Sequence, residues 1–325
     1  MRRILVITNN FLQASYRLRI AELIPLLREK GFELEVHRRP RKWMARRRLL
    51  KTARDYHAVI LQRKFLDASD MRLLRAAARR IFYDIDDAVM LHQKPVGPIE
   101  RWRTRRRFEA TAANVDHVVA GNEYLADFFR ARGRTVTILP TVVDPAHYRV
   151  KEHSQTDSPR LVWIGSHSTL PYLEEFLPAI ERAAEQVPGL GLIIIADGSL
   201  QSQVVPIEQI PWSVESEAVA LAREDIGIAP TPCDPWTLGK CGFKIVQYMA
   251  SGLPVIASPV GANESLVTAA TGLLPESQAQ WTQAIIQLAR DLELRKRMGC
   301  AARQRVEAEL STAHAAEVWA GLLRE

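Results

Sequence analysis

The sequence predicts an α/β protein of two doubly wound units, each a parallel sheet with helices on both faces. Three observations carry this expectation. Short apolar, β-branched runs alternate with helix-periodic stretches, the pattern of repeated strand–helix–strand units. The pattern stops at a polar, aperiodic decapeptide, KEHSQTDSPR (Lys151 to Arg160), and then starts again. Charge also changes sign across that break. Residues 1–150 hold 31 Lys+Arg against 16 Asp+Glu, and residues 151–325 hold 13 against 21.

In the first half, strands are expected at Ile4–Thr8, Leu34–Val36, Val59–Leu61, Ile81–Tyr83, Val118–Ala120 and Val136–Leu139. Helical periods lie between them at Arg17–Lys30, Asp70–Arg80 and Glu123–Arg132. In the second half the strands are Leu161–Ile164, Leu192–Ala196, Ile226–Ala229 and Val255–Ala257. They are interleaved with helices near Tyr172–Gln186, Glu215–Arg223 and Phe243–Ser251, and a helical end closes the chain. The expected division is a basic unit at 1–150, a second unit at 151–310 and a terminal helix at 311–325. Open α/β sheets bind ligands outside the carboxyl ends of their strands, so a cleft between two such units is the expected site.

Composition narrows the classes. At 325 residues, 47% hydrophobic and 25% charged, the chain has the make-up of a soluble globular protein. No apolar run reaches the roughly 18 residues that span a bilayer. The start, MRRILVITNN, runs straight into strand-like sequence without the core of a signal peptide. Cys233, Cys241 and Cys300 show no metal-ligand spacing, which suits a reducing, cytoplasmic compartment. The positive excess concentrates in RRPRKWMARRRLLK (Arg38 to Lys51) and RWRTRRRF (Arg101 to Phe108). Both interleave arginine with Trp or Leu and suit an anionic membrane surface, at about 1 kcal/mol per basic residue. The plainer alternative is two solvated helix faces. No nucleic-acid module accompanies them, so nucleic acid is not an expected partner.

The most informative stretch is WTLGKCGFKIVQYMASGLPVIASPVGANE, Trp236 to Glu264. Its loop carries Gly239, Lys240, Gly242 and Lys244 and leads into a helix. A helix start preceded by glycine exposes backbone N–H groups in a positive field, and two lysines add full charges. The natural guest is a phosphate or diphosphate held without a metal ion. The alternative is a tight turn whose lysines extend into water. Gly165-Ser166, directly after a strand, is a second candidate for phosphate contact.

GFKIVQYMASGLPVIASPVGANESLV resembles the donor-binding segment of retaining glycosyltransferases of the GT-B fold, family 4. DIGIAPTP (Asp225 to Pro232), LVWIGS (Leu161 to Ser166), GNEYLADFF and ILPTVVDPAHY agree in order and spacing, so the resemblance covers most of the chain. It implies two Rossmann-like domains facing across a cleft, with a nucleoside-diphosphate sugar such as a UDP-sugar held mainly by the second and the acceptor mainly by the first. It also implies that the terminal helix crosses back to the first domain.

Departures from the family pattern matter. The family's two glutamates have seven residues between them. The second, on the donor ribose, falls on Gln247, and the first falls near Gly239. Asp234 is the nearest acid and the candidate for the donor sugar hydroxyls. The usual Arg/Lys pair after the domain's first strand is replaced by GSHSTLPYL, so Lys240 and Lys244 are expected to supply charge for the diphosphate. Trp212 lies where relatives lodge the nucleotide base.

IFYDIDDAVM places Asp84, Asp86 and Asp87 at the end of a strand. Under the resemblance this strand end faces the donor, and Asp86 or Asp87 is the candidate to receive the acceptor's proton. Helix capping or pairing with nearby arginines is the alternative. In NNFLQASYRLRI (Asn9 to Ile20), Arg17 and Arg19 are candidates for phosphate contact, since guanidinium forks suit phosphate. The expected function is therefore a retaining, metal-independent glycosyltransferase, without cofactor, acting on a glycan or lipid-linked acceptor for a polysaccharide, in the cytoplasm or peripheral on its membrane. Two alternatives are an inactive GT-B scaffold and a Mg²⁺ phosphohydrolase of the haloacid-dehalogenase type. The second would use Asp84-Ile85-Asp86, although Ala88 stands where that type has Thr or Val.

Overall fold

The computed structural model describes residues 1–92 and 95–325. The chain divides into two compact units, Met1–Val142 with Leu238–Cys241 and Thr312–Glu325, and Val143–Thr237 with Gly242–Ser311.

The first unit is a six-stranded sheet of β1 (Arg2–Thr8), β2 (Phe32–Arg38), β3 (Ala58–Gln62), β4 (Ile81–Ile85), β5 (His117–Ala120) and β6 (Thr135–Ile138). The order is β2-β1-β3-β4-β5-β6, all pairs parallel. Ile4, Leu5, Val6, Val59, Ile60 and Leu61 are buried to within 1% of completely. Helices on both faces make these strands read as continuous apolar runs instead of alternating ones. The terminal helix, Thr312–Arg324, belongs to this unit, and its Trp319 sits edge-on to Phe82 of β4 with ring centroids 5.9 Å apart. The helical stretch expected over Arg17–Lys30 is divided. Helix Ala14–Arg19 ends at Ile20 (φ −126°), a 3₁₀ turn covers Ala21–Leu23, and Pro25 opens a new helix, Ile24–Glu29. Proline tolerates that first turn but not a helix interior.

The second unit is also a parallel six-stranded sheet: β7 (Arg160–Ile164), β8 (Gly191–Ile195), β9 (Ile207–Ile210), β10 (Ile226–Ala229), β11 (Val255–Ala257) and β12 (Gly272–Leu273). The order β12-β11-β10-β7-β8-β9 places the first and fourth strands of this unit, β7 and β10, side by side. That is the Rossmann order, and its switch point lies between those two strands. Trp163 and Trp281 anchor one core layer against Leu173, Ile180 and Ile285. Tyr248, Met249 and Val306 belong to the opposite layer. The segment after Val142 joins this unit, since Val143 bridges Ser311 and donates its N–H to the Leu310 carbonyl at 3.2 Å. Among the described residues no helix is long and apolar enough to cross a membrane.

Candidate active site

Each unit collects its polar residues at the carboxyl ends of its strands. In the first unit the chain passes from β1 to β2 on one side and then to β3 on the other, so the end of β1 is the switch point. Beside it, Arg19 and Asp84 form a fully buried ion pair, with side chains only 2% and 1% exposed. Arg19 donates from Nη2 to Asp84 Oδ1 at 2.6 Å, from Nε to both oxygens at 3.0 and 3.2 Å, and from Nη1 to the Leu139 carbonyl at 2.8 Å. Gln62 Nε2 donates to Asp84 Oδ2 at 3.3 Å, while Thr8 Oγ1 donates to Gln62 Oε1 at 2.8 Å. Burial opposes the Arg19 charge and the Asp84 carboxylate more than offsets it, so the guanidinium is held charged. The pair ties β1, β3 and β4 together. This arrangement buries Arg19 and turns its guanidinium onto Asp84 and Leu139 instead of a phosphate, and it leaves Asp84 without the freedom of a phosphohydrolase nucleophile.

Asp86 and Asp87 follow β4 and differ sharply. Asp87 Oδ2 accepts from Arg63 Nη2 at 2.6 Å. Asp86 has an inaccessible Oδ1 with no hydrogen-bond partner, and the nearest cation, Arg63 Nε, is 3.9 Å away. Its side chain is 12% exposed. Burial pushes this carboxyl up to about 6, against the pull of Arg63 and Arg19. Arg63 itself has φ +59°, the sole positive φ among the described non-glycine residues. It is held there by its N–H on the Asp84 carbonyl (2.7 Å) and by Tyr83 Oη donating to its carbonyl (2.9 Å). Strain of this kind persists where surrounding structure fixes it, commonly at functional sites.

The loop Leu238–Cys241 packs on this same unit. Asn122 caps the helix Glu123–Arg130 with its Oδ1 and donates from Nδ2 to the carbonyls of Leu238 (3.0 Å) and Lys240 (2.9 Å). Cys241 Sγ donates to the Asp86 carbonyl at 2.9 Å, and burial pushes that thiol far up, so it is an inert donor. A Cβ on Gly239 would lie 2.3 Å from Ala88 Cβ, so a larger residue at this position requires a shift.

In the second unit, the loop after β7 begins at Gly165, where a Cβ would lie 2.3 Å from the Trp163 ring. Lys244 places its Nζ 4.4 Å from the centroid of that ring. Lys244 is thereby brought to the end of β7, at the switch point. Gly242, left-handed at φ 60°, caps the helix Phe243–Ala250 without a side chain. Ser166 is exposed and opens a capping box with Thr169. Asn263 Nδ2 donates to the Ser258 carbonyl at 2.9 Å, and Ser258 Oγ accepts from the Thr231 N–H at 3.0 Å, fixing the loops after β11 and β10. Gln247, 3% exposed, donates from Nε2 to Tyr148 Oη at 3.2 Å. Tyr148 in turn reaches Glu217 Oε1 at 3.5 Å, and Glu217 Oε2 accepts from Trp212 Nε1 at 2.7 Å. Trp212 is 40% exposed, with its indole N–H held by Glu217.

The remaining expected residues fall as follows. Asp234 Oδ1 accepts from the N–H groups of Trp236 (2.7 Å) and Thr237 (2.9 Å), capping the short helix Pro235–Leu238. Arg17 lies 3.6 Å from Glu22 and is one-third exposed. Lys240 belongs to the first unit and Lys244 to the second. Sequence reasoning passed over Arg63, Tyr148, Glu217 and Asn263. For Arg63 the available signal was a polar side chain just after a predicted strand.

Two doubly wound sheets with polar clusters at their strand ends are the arrangement of a ligand-binding α/β protein. Residues 158–291, inside the second unit, match the family described as glycosyl transferases group 1. No curated protein matches the chain. Among solved structures, sucrose-phosphate synthase from Thermosynechococcus elongatus is similar at TM-score 0.71 and 15% identity, covering 100% of this chain and 98% of that one. Anabaena HepE in complex with UDP and glucose is similar at 0.69 and 14%, covering 100% of both. A glycosyltransferase from Rickettsia africae is similar at 0.68 and 11%, covering 99% and 98%. The chain has the two Rossmann-like sheets of GT-B glycosyltransferases, its second unit carries a group 1 domain, and it is a glycosyltransferase.

Proposed function

We propose that the chain is a retaining, family 4-type transferase that takes a sugar from a UDP-sugar or related nucleoside-diphosphate sugar to a hydroxyl acceptor without a metal ion. The observation that carries this is the switch point of the second unit. There Lys244 holds a positive charge over Trp163, beside the exposed Ser166 that follows β7. A leaving diphosphate needs positive charge at that point, and fixed charge in a partly dry site stabilises it best. Trp212, its N–H fixed by Glu217, offers a ring face to the base. Gln247 supports that arrangement through Tyr148, and its amide suits a ribose hydroxyl. HepE, similar in fold, is described in complexes with UDP, UDP-glucose and glucose. In the first unit Asp86, and not the Arg63-paired Asp87, is the base for the acceptor hydroxyl.

Lys244→Ala is expected to weaken UDP binding by roughly tenfold or more in calorimetry, since hydrogen bonds to charged groups contribute about 1.5–3 kcal/mol. Lys240→Ala, made alongside, measures the share of the other lysine. Normal UDP affinity in the Lys240→Ala, Lys244→Ala double variant would sink the donor assignment.

The acceptor is a lipid-linked or polysaccharide intermediate, and the first unit rests on an anionic membrane. Trp43 and Met44 are each 62% exposed at the start of helix Trp43–Thr52, and Trp102 is 56% exposed on helix Pro98–Asn114. Arg47 and Arg106 stack on the two indoles at 5.5 and 4.8 Å. Such a mixed face suits headgroups, with the rings at the interface and the cations on phosphate. Phosphatidylglycerol vesicles should sediment the protein at low salt and release it as salt rises. Failure to bind at low salt would remove the membrane from the account.

A further inference from the structure

Arg63 directs each of its side-chain nitrogens at a different group. Nη1 donates to Ser15 Oγ at 3.1 Å, on helix Ala14–Arg19, and Nη2 donates to Asp87 Oδ2 at 2.6 Å. Nε stands 3.9 Å from Asp86 Oδ1. That separation is too long for a hydrogen bond but well within the reach of charge. The side chain leaves from a left-handed backbone, one residue beyond β3, where glycine would sit without strain. The Asp84 carbonyl and the Tyr83 hydroxyl hold the main chain of Arg63, so the guanidinium is not needed to fix the turn. What an arginine adds at this place is its charge and its fork.

Asp86 is thereby left between two limits. A direct pair with Arg63 would keep its carboxylate ionised, and burial with no cation near would keep it protonated. Burial acts most strongly and raises its pKa. Arg63 and then Arg19 lower it, and Asp84 and Asp87 raise it again. Arg19 and Asp84 are bound to each other and act on Asp86 in opposite senses. Tyr83 and Cys241 also face Asp86, and burial raises both, so both keep their protons. Arg63 and Asp87 are then the two charges whose balance decides the state of Asp86. By accepting from Nη2, Asp87 keeps the guanidinium from closing on its neighbour.

We infer that Arg63 is a positioning residue for the acceptor's base: anchored by Ser15 and diverted by Asp87, it keeps a cation beside Asp86 without pairing with it. The inference rests on reading Asp86 as that base. A general base serves best when it changes charge near the working pH, and a cation held at this distance brings a buried carboxyl toward that range.

The test titrates the full chain with its aspartate carboxyls labelled for carbon NMR, the Asp86 signal being assigned by its loss in Asp86→Asn. Arg63→Gln should raise the Asp86 midpoint by about one pH unit, and Asp87→Asn, which releases Arg63 toward Asp86, should lower it similarly. Arg63→Lys keeps the charge and should fall nearer to wild type than to Arg63→Gln. Structural damage alone would not send the two halves of one ion pair in opposite directions. Melting curves verify folding, and Asp87→Asn decides the matter alone if Arg63→Gln does not fold. Midpoints that stay at the wild-type value, or that move the same way in both variants, overturn the inference. Release of UDP from UDP-glucose across pH, measured on the same proteins, reads the chemistry separately. Its acid limb should follow the Asp86 midpoint from variant to variant. A chain whose midpoints shift as expected while release ignores them, or is absent, keeps the Arg63 arrangement and sinks the reading of Asp86 as the base.

Discussion

Arg19→Ala is expected to destabilise the protein by about 3–5 kcal/mol, enough to remove much of the stability of an ordinary domain. The cost is not the strength of the ion pair as such. Removing Arg19 leaves the Asp84 carboxylate 1% exposed with only a long contact from Gln62, and strips the Leu139 carbonyl of its donor. Asp84→Ala should cost a similar amount by stranding the guanidinium. The double variant Arg19→Met, Asp84→Ala removes both charges and should recover a good part of the loss, because a buried pair only partly repays its own desolvation. Urea midpoints for the three variants check this. A single-variant cost below about 1 kcal/mol, or a double variant that simply adds the two losses, contradicts the account.

Asp86→Asn should do the opposite to stability while removing most activity. In the fold the Asp86 carboxyl keeps its proton up to a pH of about 6, whereas in the unfolded chain it loses it near the ordinary aspartate value of 3.8. The native state therefore binds more protons between those values. The stability this group contributes is full below about pH 4 and falls as pH rises through about 6. The difference of roughly two pKa units corresponds to about 3 kcal/mol at most. Asparagine carries no charge to bury, so the variant should be more stable than wild type at pH 8, with the gap closing toward pH 4. In the proposed role of acceptor base Asp86 must be ionised, so transfer by the wild type should rise with pH through an apparent pKa near 6. Loss of a general base costs about 10²–10⁴-fold. Melting curves and pH–rate profiles on the same samples read both effects. A variant that transfers normally removes Asp86 from the chemistry, and one that is less stable than wild type at pH 8 removes the buried charge.

Much of the fold was legible because each buried parallel strand is a short apolar run with helical periods on either side. The ten strands expected are present, and the two unforeseen ones are the edges of the second sheet. β9 reads Ile-Glu-Gln-Ile with its polar pair exposed, and β12 is Gly272-Leu273, too short to show a period. The helix Phe243–Ala250 and the strand after it were legible because their signals are local: a capping glycine before the helix and a tight turn before β11. The rest of the site depends on residues far apart in sequence. Arg19 meets Asp84 across 65 positions and Trp212 depends on Tyr148 through Glu217, so no spacing rule exposes them. Lys240 and Lys244 show the same limit from the other side. They are four residues apart and were read as one phosphate clamp, yet their contacts assign them to different units. Gly239 was a gap in a motif, and its close approach to Ala88 shows only in the fold.

The central claim is that this chain breaks the bond between a nucleoside diphosphate and a sugar. The most direct measurement is release of nucleoside diphosphate from UDP-, GDP- and ADP-sugars by wild type and by Lys244→Ala, with and without phosphorylated and unphosphorylated glycan and lipid acceptors. The account expects release from one donor class, faster with an acceptor present and reduced at least roughly tenfold in the variant. Binding of a nucleotide with no release across all donors and acceptors would contradict it and leave the chain a scaffold of glycosyltransferase shape.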